Sequence, residues 1–132
     1  MPDKVTLQPC LGTDAVSVLA RQACYVVHEE HRPDQTSLGC GPALNATVQE
    51  DIDFIRDFPV LALESCDKVC ATKLVAKMGE QASTTMMVRQ ELAGLGIEPE
   101  GLPTGHLPCE DPTVQALAQR ILAEVDRLLA GG

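Results

Sequence analysis

Pro59-Val60-Leu61-Ala62-Leu63-Glu64-Ser65-Cys66-Asp67-Lys68-Val69-Cys70 is the stretch on which the reading of the fold turns. The unbroken aliphatic run from Val60 to Leu63, entered through a proline, has the pattern of a strand buried on both faces of a parallel sheet. The run ends at Glu64-Ser65-Cys66. From about Asp67 to Met78 a helix is expected, closed by Gly79. A strand leading straight into a helix is half of a βαβ unit.

The same alternation continues outward in both directions. Residues 5–8 form a β-prone run that stops at Pro9-Cys10-Leu11-Gly12. Thr13 or Asp14 can cap the helix that follows. Its apolar positions Val16, Leu19, Ala20, Ala23, Val26 and Val27 recur at helical spacing until His28-Glu29-Glu30-His31, before Pro33. Residues 33–42 are rich in turn formers. Residues 43–55 are expected to be a second helix, and 84–89 a strand. Residues 94–112 hold many Gly and Pro and predict irregular chain. Asp111-Pro112-Thr113 opens a final helix with a stripe of Val114, Leu117, Ala118, Ile121, Leu122, Val125, Leu128 and Leu129. This order predicts one α/β domain over residues 1–132. It is a small three-layer domain with a three- to four-stranded, mainly parallel sheet and about four helices.

Composition narrows the function. The 132 residues carry a formal charge of −9, which opposes binding to nucleic acid or to an anionic membrane surface. Tyr25, Phe54 and Phe58 are the whole aromatic complement, too few for a base-stacking platform. No apolar stretch approaches the ~20 residues of a membrane span. Residues 1–10 show neither a basic leader with an apolar run nor a cleavage site, so a cytoplasmic location is expected.

In a reducing compartment the six cysteines read as metal ligands or redox thiols rather than disulfides. Their positions carry more than their number. Cys10 follows the first predicted strand and Cys66 the strand 60–63. In an open parallel sheet such strand ends share one edge, where ligands collect. Cys40, in the loop Gly39-Cys40-Gly41-Pro42, can reach that edge. Cys70 follows Cys66 by about one helical turn, which would face both sulfurs the same way. Free N–H groups in a first helical turn would favour thiolate there. Four thiolates are the commonest closed tetrahedral zinc set. They are also the ligand set of an iron–sulfur cluster.

Other polar residues have plainer readings. Cys24, flanked by apolar residues inside the first helix, is expected in the core, and Cys109 in an incidental loop. His28 and His31 stand three apart at a helix end, where they suit the helix dipole more simply than a metal. His106 falls in a loop, and Asp51 and Asp53 on a solvated face. Glu64 is a candidate for tuning a metal held by its neighbours. No Ser-His-Asp set and no glycine-rich phosphate loop can be assembled.

The element Val60-Leu61-Ala62-Leu63-Glu64-Ser65-Cys66-Asp67-Lys68-Val69-Cys70, with Cys10-Leu11-Gly12 before it and Cys40-Gly41 between, resembles the DGC domain family over roughly the first 90 residues. That family joins a hydrophobic strand to an Asp-Gly-Cys-x3-Cys element. Here Glu64-Ser65 stands in place of Asp-Gly. The resemblance implies zinc held by Cys10, Cys40, Cys66 and Cys70. A closed thiolate set leaves no position for water, so a non-catalytic role is expected. Two alternatives stay open. One is a redox or sulfur-transfer protein, built on an iron–sulfur cluster or on a reactive Cys66. The other is an acidic protein that docks on a larger redox enzyme.

Overall fold

The computed structural model describes all 132 residues. The chain runs β1 (Val5–Pro9), α1 (Ala15–Val26), a π-helical turn (Val27–His31) and β2 (Thr36–Leu38). It continues through α2 (Gly41–Asn45), α3 (Gln49–Asp57), β3 (Val60–Glu64) and α4 (Cys70–Lys77). After β4 (Thr84–Met87) come α5 (Val88–Gly94), a 3-10 turn (Pro99–Gly101) and α6 (Pro112–Leu129). The four strands form one all-parallel sheet in the order β2-β1-β3-β4. β1 and β3 are central and buried at every position, β3 as its aliphatic run requires. No helix is long and apolar enough to cross a membrane.

Alternation along the central strands sends side chains to two different layers. Val5, Leu7, Leu61 and Leu63 join α1, α5 and α6 in a core cluster of 20 buried residues. Val60 faces the other way, into a cluster of four with Leu44, Ile55 and Val75 from α2, α3 and α4. The remaining central-strand residues on that second face include Thr6, Gln8 and Glu64, all buried. Thr6 donates its hydroxyl to the Phe54 carbonyl of α3 at 2.7 Å. Glu64 accepts from the backbone of α4. One layer is therefore joined to the sheet by apolar packing, and the other largely by buried polar groups.

Several expectations need correction in detail. The turn-rich stretch 33–42 contains β2, pinned where His28 Nδ1 lies 2.7 Å from Thr36 Oγ1. The helix expected over 43–55 is two helices, because Thr47 between them takes a left-handed φ of 58°. The strand expected over 84–89 ends at Met87, and α5 starts at Val88 with no side-chain cap to announce it. The helix expected from Asp67 begins at Cys70. Six α-helices result, against the four expected. The caps at Asp14 and Asp111 are as expected, accepting from the N–H groups of Ser17 and Thr113. Irregular residues 94–112 are anchored by Gln22, whose carboxamide both donates to and accepts from the Leu107 backbone.

Candidate metal centre

From β1 the chain crosses first to β2 on one side and later to β3 on the other, so the strand order reverses between β1 and β3. Crevices at such switch points, beyond the carboxyl ends of the strands, are where open α/β sheets hold ligands. Pro9 of β1 is opposite Leu63 of β3, and the Cys10 N–H donates to the Leu63 carbonyl at 2.8 Å. Cys10 thus sits on the switch point itself.

Its sulfur is surrounded by polar groups although the residue is buried. The Gly12 N–H donates to Sγ at 3.4 Å, and the hydroxyls of Ser65 and Ser17 lie 3.5 and 3.6 Å away. Burial pushes the Cys10 thiol up. Hydrogen bonds from the Ser65 hydroxyl and the Gly12 N–H, with the Ser17 hydroxyl in contact, outweigh that and hold it below its ordinary value. The two hydroxyls are 2.8 Å apart, and the single Ser17 hydroxyl proton goes to the Asp14 carboxylate. Burial opposes the Asp14 charge, but the Ser17 hydroxyl and amide, with Arg89 nearby, hold its carboxyl below the usual range. Arg89 in turn donates to the Ser65 carbonyl at 2.8 Å.

These groups carry no signature in the sequence, since Ser17 and Ser65 meet only through the fold. The one available hint was Ser65, standing where the family pattern has glycine. Ser65 is not among the residues with positive φ, so its backbone does not require glycine, and its hydroxyl adds a partner for Cys10.

The other three proposed ligands are distributed around the same edge. Cys66 is half-buried in the turn after β3. Cys70 is the exposed first residue of α4, and Cys40 the exposed residue at the start of α2. Cys66 and Cys70 do not share a helical turn, because Cys66 lies outside α4. Val69, between them, takes the left-handed conformation at φ 46°, ψ 51°, a strained one for a β-branched residue. A cavity of about 350 Å³ is lined by Cys10 and Cys70 with Gln8, Asn45, Leu11 and Leu74. A second, of about 220 Å³, is lined by Cys24 and Cys40 with Arg21 and Tyr25, and Leu11 borders both. Cys10 and Cys70 are therefore brought to one cavity, with Cys40 across Leu11 from it. No three His, Cys, Asp or Glu side chains lie close enough together to hold a metal ion.

Glu64 occupies a different position from that of a metal-tuning carboxylate. It accepts from the N–H groups of Ala71 at 3.3 Å and Thr72 at 2.7 Å, and from the Thr72 hydroxyl at 2.7 Å. It caps α4 from the neighbouring strand, taking up N–H groups expected to favour thiolates. Cys24 is in the core, where burial pushes its thiol up to about 12. Cys109 and His106 are exposed in the 94–112 region. His28 and His31 lie in the π-helical turn. Asp53 pairs with Arg56 on the outer side of α3.

The donor chemistry at this edge suits a soft metal, since four free cysteines stand around it and the hydrogen bonds to Cys10 favour its thiolate form. No match was found among curated proteins or solved structures. The family model described as the DGC domain matches residues 6–101, from β1 through the 3-10 turn. The matched span includes Cys10, Cys40, Cys66 and Cys70, leaving out Cys109 and α6. Covering well over half of the sequence, this match establishes that the chain belongs to the DGC domain family.

Proposed function

We propose that the chain holds one zinc ion through the thiolates of Cys10, Cys40, Cys66 and Cys70. The observation that carries this reading is placement. All four cysteines follow the carboxyl ends of strands at one sheet edge, around the switch point between β1 and β3. The hydroxyls and the amide around Cys10 favour the form of cysteine that binds metal. Cys40 and Cys70 stand exposed at the starts of α2 and α4, above a core cluster of only four residues, so turning them inward disturbs little packing. Bound there, zinc would tie α2 and α4 to the central strands. Four thiolates leave no position for water, so the role is one of stabilising or signalling rather than hydrolysis.

The test is elemental analysis of the full chain purified without air, beside single Cys→Ser variants. About one zinc per chain is expected, falling ~10-fold or more when any of the four is replaced. Cys24→Ser and Cys109→Ser keep their zinc. Stoichiometric iron would overturn the assignment in favour of a cluster and redox or sulfur chemistry.

A further inference from the structure

Among the buried polar residues on the thin face of the sheet, Thr6 and Glu64 each hold a helix by a hydrogen bond. Gln8 lies between them in the same layer, is 1% exposed, and its Oε1 has no hydrogen-bond partner. A buried acceptor without a donor is uncommon enough to require a reason. Gln8 lines the cavity that Cys10 and Cys70 share. Its carboxamide also presses on Gly39, where a Cβ would fall 2.0 Å from Oε1. Gly39 directly precedes Cys40. The N–H groups of Cys40 and Gly41 donate to no backbone carbonyl, and no side chain caps this turn. An acceptor lacking a donor thus faces a loop whose donors lack acceptors.

We propose that Gln8 is the positioning residue for Cys40: its Oε1 accepts the N–H of Cys40 or Gly41 when Cys40 turns toward the metal. The inference rests on the zinc reading above. That bond satisfies the carboxamide and the loop together, so part of the metal's affinity comes from a hydrogen bond that touches no metal ligand side chain. Gly39 is required because any side chain there would displace the carboxamide.

The experiment compares the full-length chain with Gln8→Met, which keeps the length of the side chain and removes the acceptor. Three quantities are read: zinc affinity by competition with a chromophoric chelator, melting temperature without metal, and hydrogen exchange at the Cys40 and Gly41 amides. The variant is expected to bind zinc ~10-fold more weakly. Its metal-free melting temperature is expected to be unchanged or higher, since an unsatisfied buried group is gone. Zinc should protect one of the two amides in the natural chain and neither in the variant. Equal affinities, or a loss of affinity matched by a lower metal-free melting temperature with no difference in amide protection, would overturn the role. A natural chain that binds no zinc would overturn the zinc reading itself, and this role with it. Gly39→Ala provides an independent check. It should weaken zinc binding in the natural background and add no further loss to Gln8→Ala. Equal losses in both backgrounds would again count against the coupling.

Discussion

On the side of α1, α5 and α6 the sheet and its helices share a core cluster of 20 buried apolar residues; on the side of α2, α3 and α4 the corresponding cluster has four. The first layer is held by area removed from water, which is insensitive to direction. The second relies on Thr6 and Glu64, whose hydrogen bonds fix where α3 and α4 sit but add only modest net stability each. Cys40 directly precedes α2 and Cys70 begins α4, both helices of this second layer. The difference teaches a division of labour. The thick layer keeps the fold, and the thin layer is light enough for its helix starts to be moved by what binds between them.

The comparison can be broken by mutation. Leu117 and Leu44 are both fully buried, one in each layer. Truncation to alanine should cost about 4–5 kcal/mol at Leu117 and nearer 2 kcal/mol at Leu44, where few neighbours are lost. Chemical denaturation measures both, and equal costs would erase the distinction. Glu64→Gln should cost about 1.5 kcal/mol by weakening the cap on α4. Native-state hydrogen exchange should place that loss in α4 and leave α1 and α6 unchanged.

Smaller effects sharpen the picture at the site. Asp14 has a folded pKa below its unfolded one, so its contribution is present above pH ~4 and is lost as pH falls through the lower folded value. Because Asp14 is well exposed, Asp14→Asn should lower stability at pH 7 by no more than ~0.5 kcal/mol and flatten the acid limb of the stability curve. In the metal-free chain, alkylation mapped by mass spectrometry should modify Cys10 with a pH midpoint below that of an ordinary thiol. Ser65→Ala should move that midpoint upward. Cys24, in the core, should stay unmodified in the folded chain.

The parts of the fold that periodicity governs were legible in the sequence. β3 follows from its aliphatic run, α1 and α6 from their stripes and from Asp14 and Asp111 at their starts. The parts that escaped lack local signals. β2 is three residues long, and its Thr36 and Ser37 are buried through polar contacts that only the fold creates. Thr47 and Val69 adopt left-handed backbones without the glycine or asparagine that would announce them. Val69 in particular hides the break that separates Cys66 from α4. At the site, the sheet-edge position of Cys10 and Cys66 could be read from strand ends. The surroundings of Cys10 could not, because Ser17 and Ser65 are brought together across 48 residues of sequence.

The all-parallel sheet has a further consequence, in time rather than in space. Val5 pairs with Thr36, Thr6 with Val60 and Leu61 with Thr84, so no two neighbouring strands are joined by a hairpin. Loop closure must come before any strand pairing is rewarded. β1 leaves the ribosome before the other three strands of this sheet, yet it is central and needs partners on both sides. At ~5–20 residues per second, roughly 3–10 s separate the emergence of Thr6 from that of Val60. During that interval the edge destined for β3 is open to any passing strand. α1, which follows at once, covers the face of β1 that carries Val5 and Leu7, so the apolar face is sheltered early while the edge waits for β3.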